Sequence, residues 1–149
     1  LRSYPVRHAH IDEIDGDIWT IPGEKMKGRK GKTSDFRVPL TPEALHVIEL
    51  ASQQQRDDYI FPGVKRGVIS DASMARLMER RGLEARPHGF RSTLRVWLTE
   101  SQQASREVAE TIIAHQTGSL TERAYNRTDF LEQRRELMEA WERYLKSED

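Results

Sequence analysis

A chain of 149 residues with 36% apolar side chains can bury the core of one globular domain. Its 24 basic and 24 acidic side chains cancel, which excludes a global cationic field, and the absence of cysteine excludes a disulfide framework or a thiolate metal site. No apolar run is long enough to cross a bilayer and no signal-like segment opens the chain, so a soluble, cytoplasmic protein without a membrane partner is expected. Because the first residue is Leu1, the chain is expected to be a piece of a longer polypeptide.

The acidic residues gather in "IDEIDGD" near the start and "ERYLKSED" at the end. After the first of these, "DIWTIP" and "DFRVPL" are short alternating runs separated by "GEKMKGRKGKTS", which predicts a hairpin with a long basic tip. "TPEALHVIELASQQQ" predicts a helix with a Thr41 cap, Pro42 in its first turn, and Leu45, Ile48 and Ala51 at helical spacing. "YIFPG" reads as a brief extended stop. "SDASMARLMERRG" predicts a helix that starts at a Ser cap, repeats Met74, Leu77 and Met78, and ends at Gly82.

Pro87 then opens a helix on which Phe90, Leu94, Trp97 and Leu98 share an apolar side, while His88, Arg91 and Arg95 share the opposite one. His88 and Arg91 sit one turn apart near the helix start, where unpaired backbone N–H groups already favour an anion. A planar guanidinium binds phosphate oxygens through paired hydrogen bonds, so a phosphate is the natural guest. "SREVAETIIAH" packs Val108, Ile112 and Ile113 and delivers His115 just before Gly118; a histidine there is more often a helix cap or dipole partner than a catalyst. Ser119 and Glu122 form a capping box for a short helix that carries Tyr125. "TDFLEQRRELMEAWERYL" predicts a long amphipathic helix with Phe130, Leu137, Trp141 and Leu145 inward. The expected fold is therefore mainly α with a small antiparallel β-sheet, an α+β domain.

Charge is neutral in total but patchy in distribution. Lys25, Lys27, Arg29, Lys30, Lys32 and Arg37 face only Asp35 in the hairpin region, and Arg76, Arg80, Arg81, Arg86, Arg91 and Arg95 face only Glu79 and Glu84. Two basic patches against an acidic rear suit a polyanion, although solvated helix faces of mixed charge look similar. His8 and His10 in "HAH" lack an obvious third ligand, and no metal or cofactor is expected.

The order Arg2, Lys27, "HGFR", His115, Tyr125 resembles the catalytic domain of tyrosine recombinases, the prophage and genomic-island integrases, over the whole chain. "DIWTIPGEKMK", "FRVPLTPEAL", "AETIIAH" and "AYNRTDFLEQRRELMEAW" fall in the order that family uses. The resemblance implies site-specific DNA recombination, with residues 1–149 as the catalytic domain and further helices and DNA-binding domains upstream. It implies that Arg2 and Arg91 hold the scissile phosphate, that His115 donates to it, and that His88 assists proton removal from Tyr125. Tyr125 would attack phosphorus to give a 3′-phosphotyrosyl link and a free 5′-hydroxyl, with Lys27 protonating the departing oxygen. No nucleotide cofactor is then needed, because the bond energy stays in the covalent link.

Further implied are DNA contacts by Lys25, Arg29, Lys30, Lys32, Arg86 and Arg95, double-stranded attachment sites as partners, a homotetramer on DNA, a monomeric isolated chain, and an accessory directionality factor. The chain departs from the family pattern in three places, one being that it starts one residue before Arg2, where the family is expected to carry further helices of the catalytic domain. Pro5 stands where an acid usually follows the first arginine, and the longer hairpin offers Lys30 and Lys32 as alternative acids. Two other readings fit the same residues: a DNA-binding module without catalysis, and a phosphodiesterase using His88 and His115 as acid and base.

Overall fold

The computed structural model describes residues 1–28, 31, 33–115 and 129–147. Its sheet grows from the alternation already visible in "IWTI". In β2 (Ile18–Ile21), Trp19 and Ile21 point inward and are buried, while Ile18 and Thr20 stand on the less covered face. β1 (Ile14–Asp15) precedes it across a turn in which Gly16, at φ +56°, takes the left-handed position a two-residue hairpin requires. β3 (Phe36–Pro39) returns beyond the basic tip and pairs antiparallel with β2, Trp19 opposite Val38 and Ile21 opposite Phe36. The strand order is β1-β2-β3, so Pro39 lies on an edge strand, where its missing N–H costs no ladder bond.

Around the sheet lie α1 (Ser3–Arg7), α2 (Pro42–Ser52), α3 (Ser73–Arg80), α4 (Pro87–Glu100), α5 (Arg106–Ile112) and α6 (Leu131–Ser147). This is the α+β class expected from the sequence, with one more strand than its two β-prone runs indicated. α2 starts as its sequence dictates: Thr41 Oγ1 accepts from the Ala44 N–H at 3.3 Å, and Pro42 occupies the first turn. α3 does not start on a serine cap. Its N-cap is Ala72, and the Ser70 and Ser73 hydroxyls pair with each other at 2.9 Å instead of capping the backbone.

α3 ends in a Schellman motif: Gly82, at φ +69°, lets Leu83 N–H reach the Met78 carbonyl and its own N–H reach that of Glu79. α5 ends in the same way without a glycine. His115 N–H donates to the Glu110 carbonyl at 2.8 Å, Ala114 N–H donates to that of Thr111 at 2.8 Å, and Ala114 itself takes the left-handed position at φ +53°.

Two apolar clusters hold these elements. Ala9, Trp19, Ile21 and Ile60 form one beneath the sheet, with Val38, Ile48 and Phe61 packed on it. Trp97, Leu98, Val108, Ala109 and Ile112 form the other between α4 and α5, with Leu94, Phe130, Leu137 and Trp141 packed on it. α6 contributes to the second cluster and also lies against β3. Trp97 and Trp141 meet edge to face, ring centroids 5.0 Å apart, at the α4–α6 contact.

Two side chains expected in the core are not in it. Phe90, in the first turn of the 14-residue α4, is 60% exposed. Leu145 is 49% exposed near the end of α6. Among the described residues no helix is long and apolar enough to cross a membrane.

Candidate active site

α4 and the end of α5 frame a cleft of about 440 Å³ whose lining includes Arg2, His88, Arg91, Arg95, Arg106 and His115. The helical register of α4 places His88, Arg91 and Arg95 along this side, opposite Leu94, Trp97 and Leu98. The linker before α4 is fixed by Arg86, whose Nη1 donates to the carbonyls of Leu83, Glu84 and Ala85 at 3.1, 3.0 and 2.9 Å. Arg86 therefore serves first as a brace for its own backbone. It is a neighbour of the cleft rather than part of its lining.

Arg2 reaches the cleft from the N-cap position of α1. That helix is anchored by Arg7, which donates from Nε to the Ile69 carbonyl at 2.8 Å and from Nη1 to Asp71 at 3.0 Å. Pro5 is buried and lines an adjoining recess of about 160 Å³. The recess shares Arg2 and Arg91 with the cleft and adds Lys27 and Glu24 from the hairpin. Arg2, Arg91, His88, His115 and Lys27 are thus brought to two contiguous depressions by four different parts of the chain.

Lys25, grouped with the DNA-facing cations on sequence grounds, is committed to the interior. Its Nζ pairs with the Glu13 carboxylate and donates to the His8 carbonyl at 2.6 Å, while Glu13 also accepts from Trp19 Nε1 at 3.0 Å. Only 15% of the Lys25 side chain and 9% of that of Glu13 is exposed, so part of the "acidic rear" is in fact a structural counterion inside the hairpin. Arg95 is likewise paired, its Nε donating to Glu110 Oε1 at 2.6 Å. Tyr125, Arg29, Lys30 and Lys32 lie outside the described residues.

Arg91 carries the clearest electrostatic signature. Its Nη1 is buried and has no hydrogen-bond partner among the described residues. Burial, and then the neighbouring Arg2 charge, hold its guanidinium below the ordinary value, against the opposing pull of Glu110. Two guanidinium groups placed close enough to disfavour each other store repulsion that an oxyanion bound between them relieves.

Three lining residues were not singled out from the sequence: Ser92, Arg106 and Glu110. Glu110 is the one acid lining this cleft among the described residues, with 5% of its side chain exposed. Burial pushes its carboxyl upward, but the hydrogen bonds and charges of Arg95 and His115 outweigh that and hold it below the usual range. Its sequence gave little signal, because "REVAETI" reads as an ordinary capped helix and the turn at Ala114 that brings His115 back to it is not encoded by a glycine.

Beside the small antiparallel sheet, a helix-borne His-x-x-Arg pair and a second arginine and histidine converge on one cationic cleft, the arrangement of an integrase-type domain. The pattern of the phage integrase family matches residues 1–132, and the chain belongs to that family. It is 33% identical to the prophage integrase IntA of Escherichia coli (strain K12), over 99% of this chain and 36% of that protein. It is 26% identical both to the integrase of Shigella phage Sf6 and to the prophage integrase IntS of Escherichia coli (strain K12), in each case over 97% of this chain and 38% of the relative. The chain thus spans little more than a third of the length of these relatives. No solved structure matches it.

Proposed function

We propose that this chain is the catalytic domain of a tyrosine-type site-specific DNA recombinase, which integrates and excises a prophage or genomic island at double-stranded attachment sites. The observation that carries the reading is the convergence of Arg2, His88, Arg91 and His115 on one cleft, with Lys27 in the recess that shares Arg2 and Arg91.

In this reading the scissile phosphate lies between Arg2 and Arg91. The buried Arg91 Nη1, without a partner among the described residues, donates to a non-bridging oxygen and offsets the charge that builds at pentacoordinate phosphorus. Tyr125 Oη attacks phosphorus and its proton passes toward His88, since a phenol with a pKa of about 10 needs a base or a cationic setting to react at neutral pH. The bond to the 5′ oxygen breaks as the bond to tyrosine forms, and Lys27 supplies the proton that leaves a free 5′-hydroxyl. The reverse attack by a 5′-hydroxyl of another strand rejoins the backbone, with no net change in the number of phosphodiester bonds and no nucleotide consumed. On DNA the parent protein acts as a homotetramer, and an accessory factor sets the direction of the reaction.

The test uses a labelled duplex nicked so that the released 5′ end diffuses away, with this chain and its Tyr125→Phe variant compared on a denaturing gel. Protein-linked DNA that requires Tyr125 supports the reading. Free cleaved ends from both proteins indicate hydrolysis by His88 and His115. Salt-sensitive DNA binding with no adduct, including in the polypeptide extended upstream, identifies a non-catalytic DNA-binding remnant.

A further inference from the structure

Glu110 stands out in the cleft because nothing in the chemistry above uses it. A carboxylate with 5% of its side chain exposed is costly to bury, and its helix neighbours Val108, Ala109 and Ile112 build an apolar core that has no need of it. It is retained between two specific donors: Arg95 Nε lies 2.6 Å from Oε1 and His115 Nδ1 lies 2.5 Å from Oε2. The backbone reinforces the second contact, since the left-handed turn at Ala114 returns the His115 N–H to the Glu110 carbonyl at 2.8 Å.

We propose that Glu110 is the positioning residue of the cleft, holding His115 with its proton on Nδ1 so that Nε2 is presented to the bound phosphodiester. The assignment rests on the recombinase reading for the identity of that ligand. An ionised carboxylate can only accept hydrogen bonds, so the imidazole nitrogen facing it must donate. Nε2 can then donate to a phosphate oxygen only as part of an imidazolium, and Glu110 is the group that stabilises that cation amid Arg2, His88, Arg91, Arg95 and Arg106, all of which line the same cleft. Arg95, held by the other carboxylate oxygen, fixes the rotation of the Glu110 side chain and so the direction in which His115 points. Glu110 itself touches neither DNA nor the reacting atoms; it acts through His115.

Two readouts test this. Nitrogen NMR of the His115 ring in the unliganded chain should find the neutral form protonated on Nδ1, and Glu110→Gln should convert it to a mixture containing the Nε2-protonated form. A neutral wild-type ring with its single proton on Nε2 overturns the proposal without recourse to any variant. In the Tyr125-dependent adduct assay, at a temperature where both proteins are fully folded, Glu110→Gln should lose about tenfold. A loss that only tracks reduced thermal stability overturns it, because a merely structural acid would act that way. Absence of an adduct in the unaltered protein, including in the polypeptide extended upstream, with the Glu110-dependent ring protonation intact, removes the recombinase reading and leaves the positioning contact standing; a Tyr125-dependent adduct with an indifferent ring does the reverse.

Discussion

Arg134 of α6 donates from Nη2 to the Arg37 carbonyl of β3 at 2.6 Å, although the two residues are 97 positions apart in the chain. Its Nη1 donates to the Asp129 carbonyl at 3.2 Å and its guanidinium lies over the Phe36 ring, 4.6 Å from the centroid. Arg37 in turn holds Asp129 through two bonds of 2.9 and 3.0 Å. The last helix and the outer strand are therefore joined by polar contacts as well as by apolar packing. With 1% of its surface exposed, Arg134 has its pKa held down to about 10, chiefly by burial, and it remains a cation at neutral pH.

Arg134→Met is expected to destabilise the domain by about 3 kcal/mol, since two backbone carbonyls lose their partner inside the protein. Arg134→Lys should recover only part of that, because a point charge cannot serve both carbonyls and stack on Phe36. Thermal unfolding of the three proteins checks the order, and equal midpoints would exclude the clasp as a stabilising element.

The left-handed Ala114 provides a change in the opposite direction. An alanine at φ +53° carries a steric penalty that glycine avoids, while glycine loses more freedom on folding. Ala114→Gly should stabilise the chain by up to about 1 kcal/mol, or roughly 2–4 °C in the unfolding midpoint. A fall in the midpoint would show that the turn is held in this conformation at little cost.

Lys25 and Lys27, two positions apart, should behave as different kinds of residue. Lys25→Met leaves the buried Glu13 carboxylate without its counterion and is expected to lower thermal stability. Lys27→Ala should leave stability within about 0.5 kcal/mol of the parent, since Lys27 is exposed, but should slow adduct formation by about 100-fold or more. A substrate whose bridging 5′ oxygen is replaced by sulfur leaves without protonation, so it should restore the Lys27→Ala rate. Failure of that rescue would move the acid to another group.

Acid should weaken the cleft through Glu110. Its carboxyl is held below the ordinary value in the folded chain, chiefly because the bonds from Arg95 and His115 outweigh burial. The stabilisation is thus fully present above the unfolded-state value of about 4.3 and is lost as pH falls through the lower folded value. Glu110→Gln has no such proton to gain. Stability measured from neutral pH down to about pH 3 should fall less steeply in the variant, and parallel curves would mean that the carboxyl is not the titrating group.

Much of the domain was legible in local sequence because the features concerned act over one turn. Thr41 with Pro42, Gly82 after α3, the alternation of Trp19 and Ile21, and the shared side of Leu94, Trp97 and Leu98 are short-range constraints on backbone and side-chain direction. The His88 and Arg91 spacing belongs with them, since a helix places residues three apart on one side whatever surrounds it. Tertiary structure alone decided which charges are free. Lys25 and Lys27 sit in the same basic run, yet one meets Glu13 indoors and the other opens onto a recess with Arg2 and Arg91. Arg95 meets Glu110 because α4 packs on α5, and His115 joins them because a non-glycine residue turns left-handed after α5. A charge in sequence has a sign but no dielectric and no partner, and burial and proximity, which folding supplies, determine what it does.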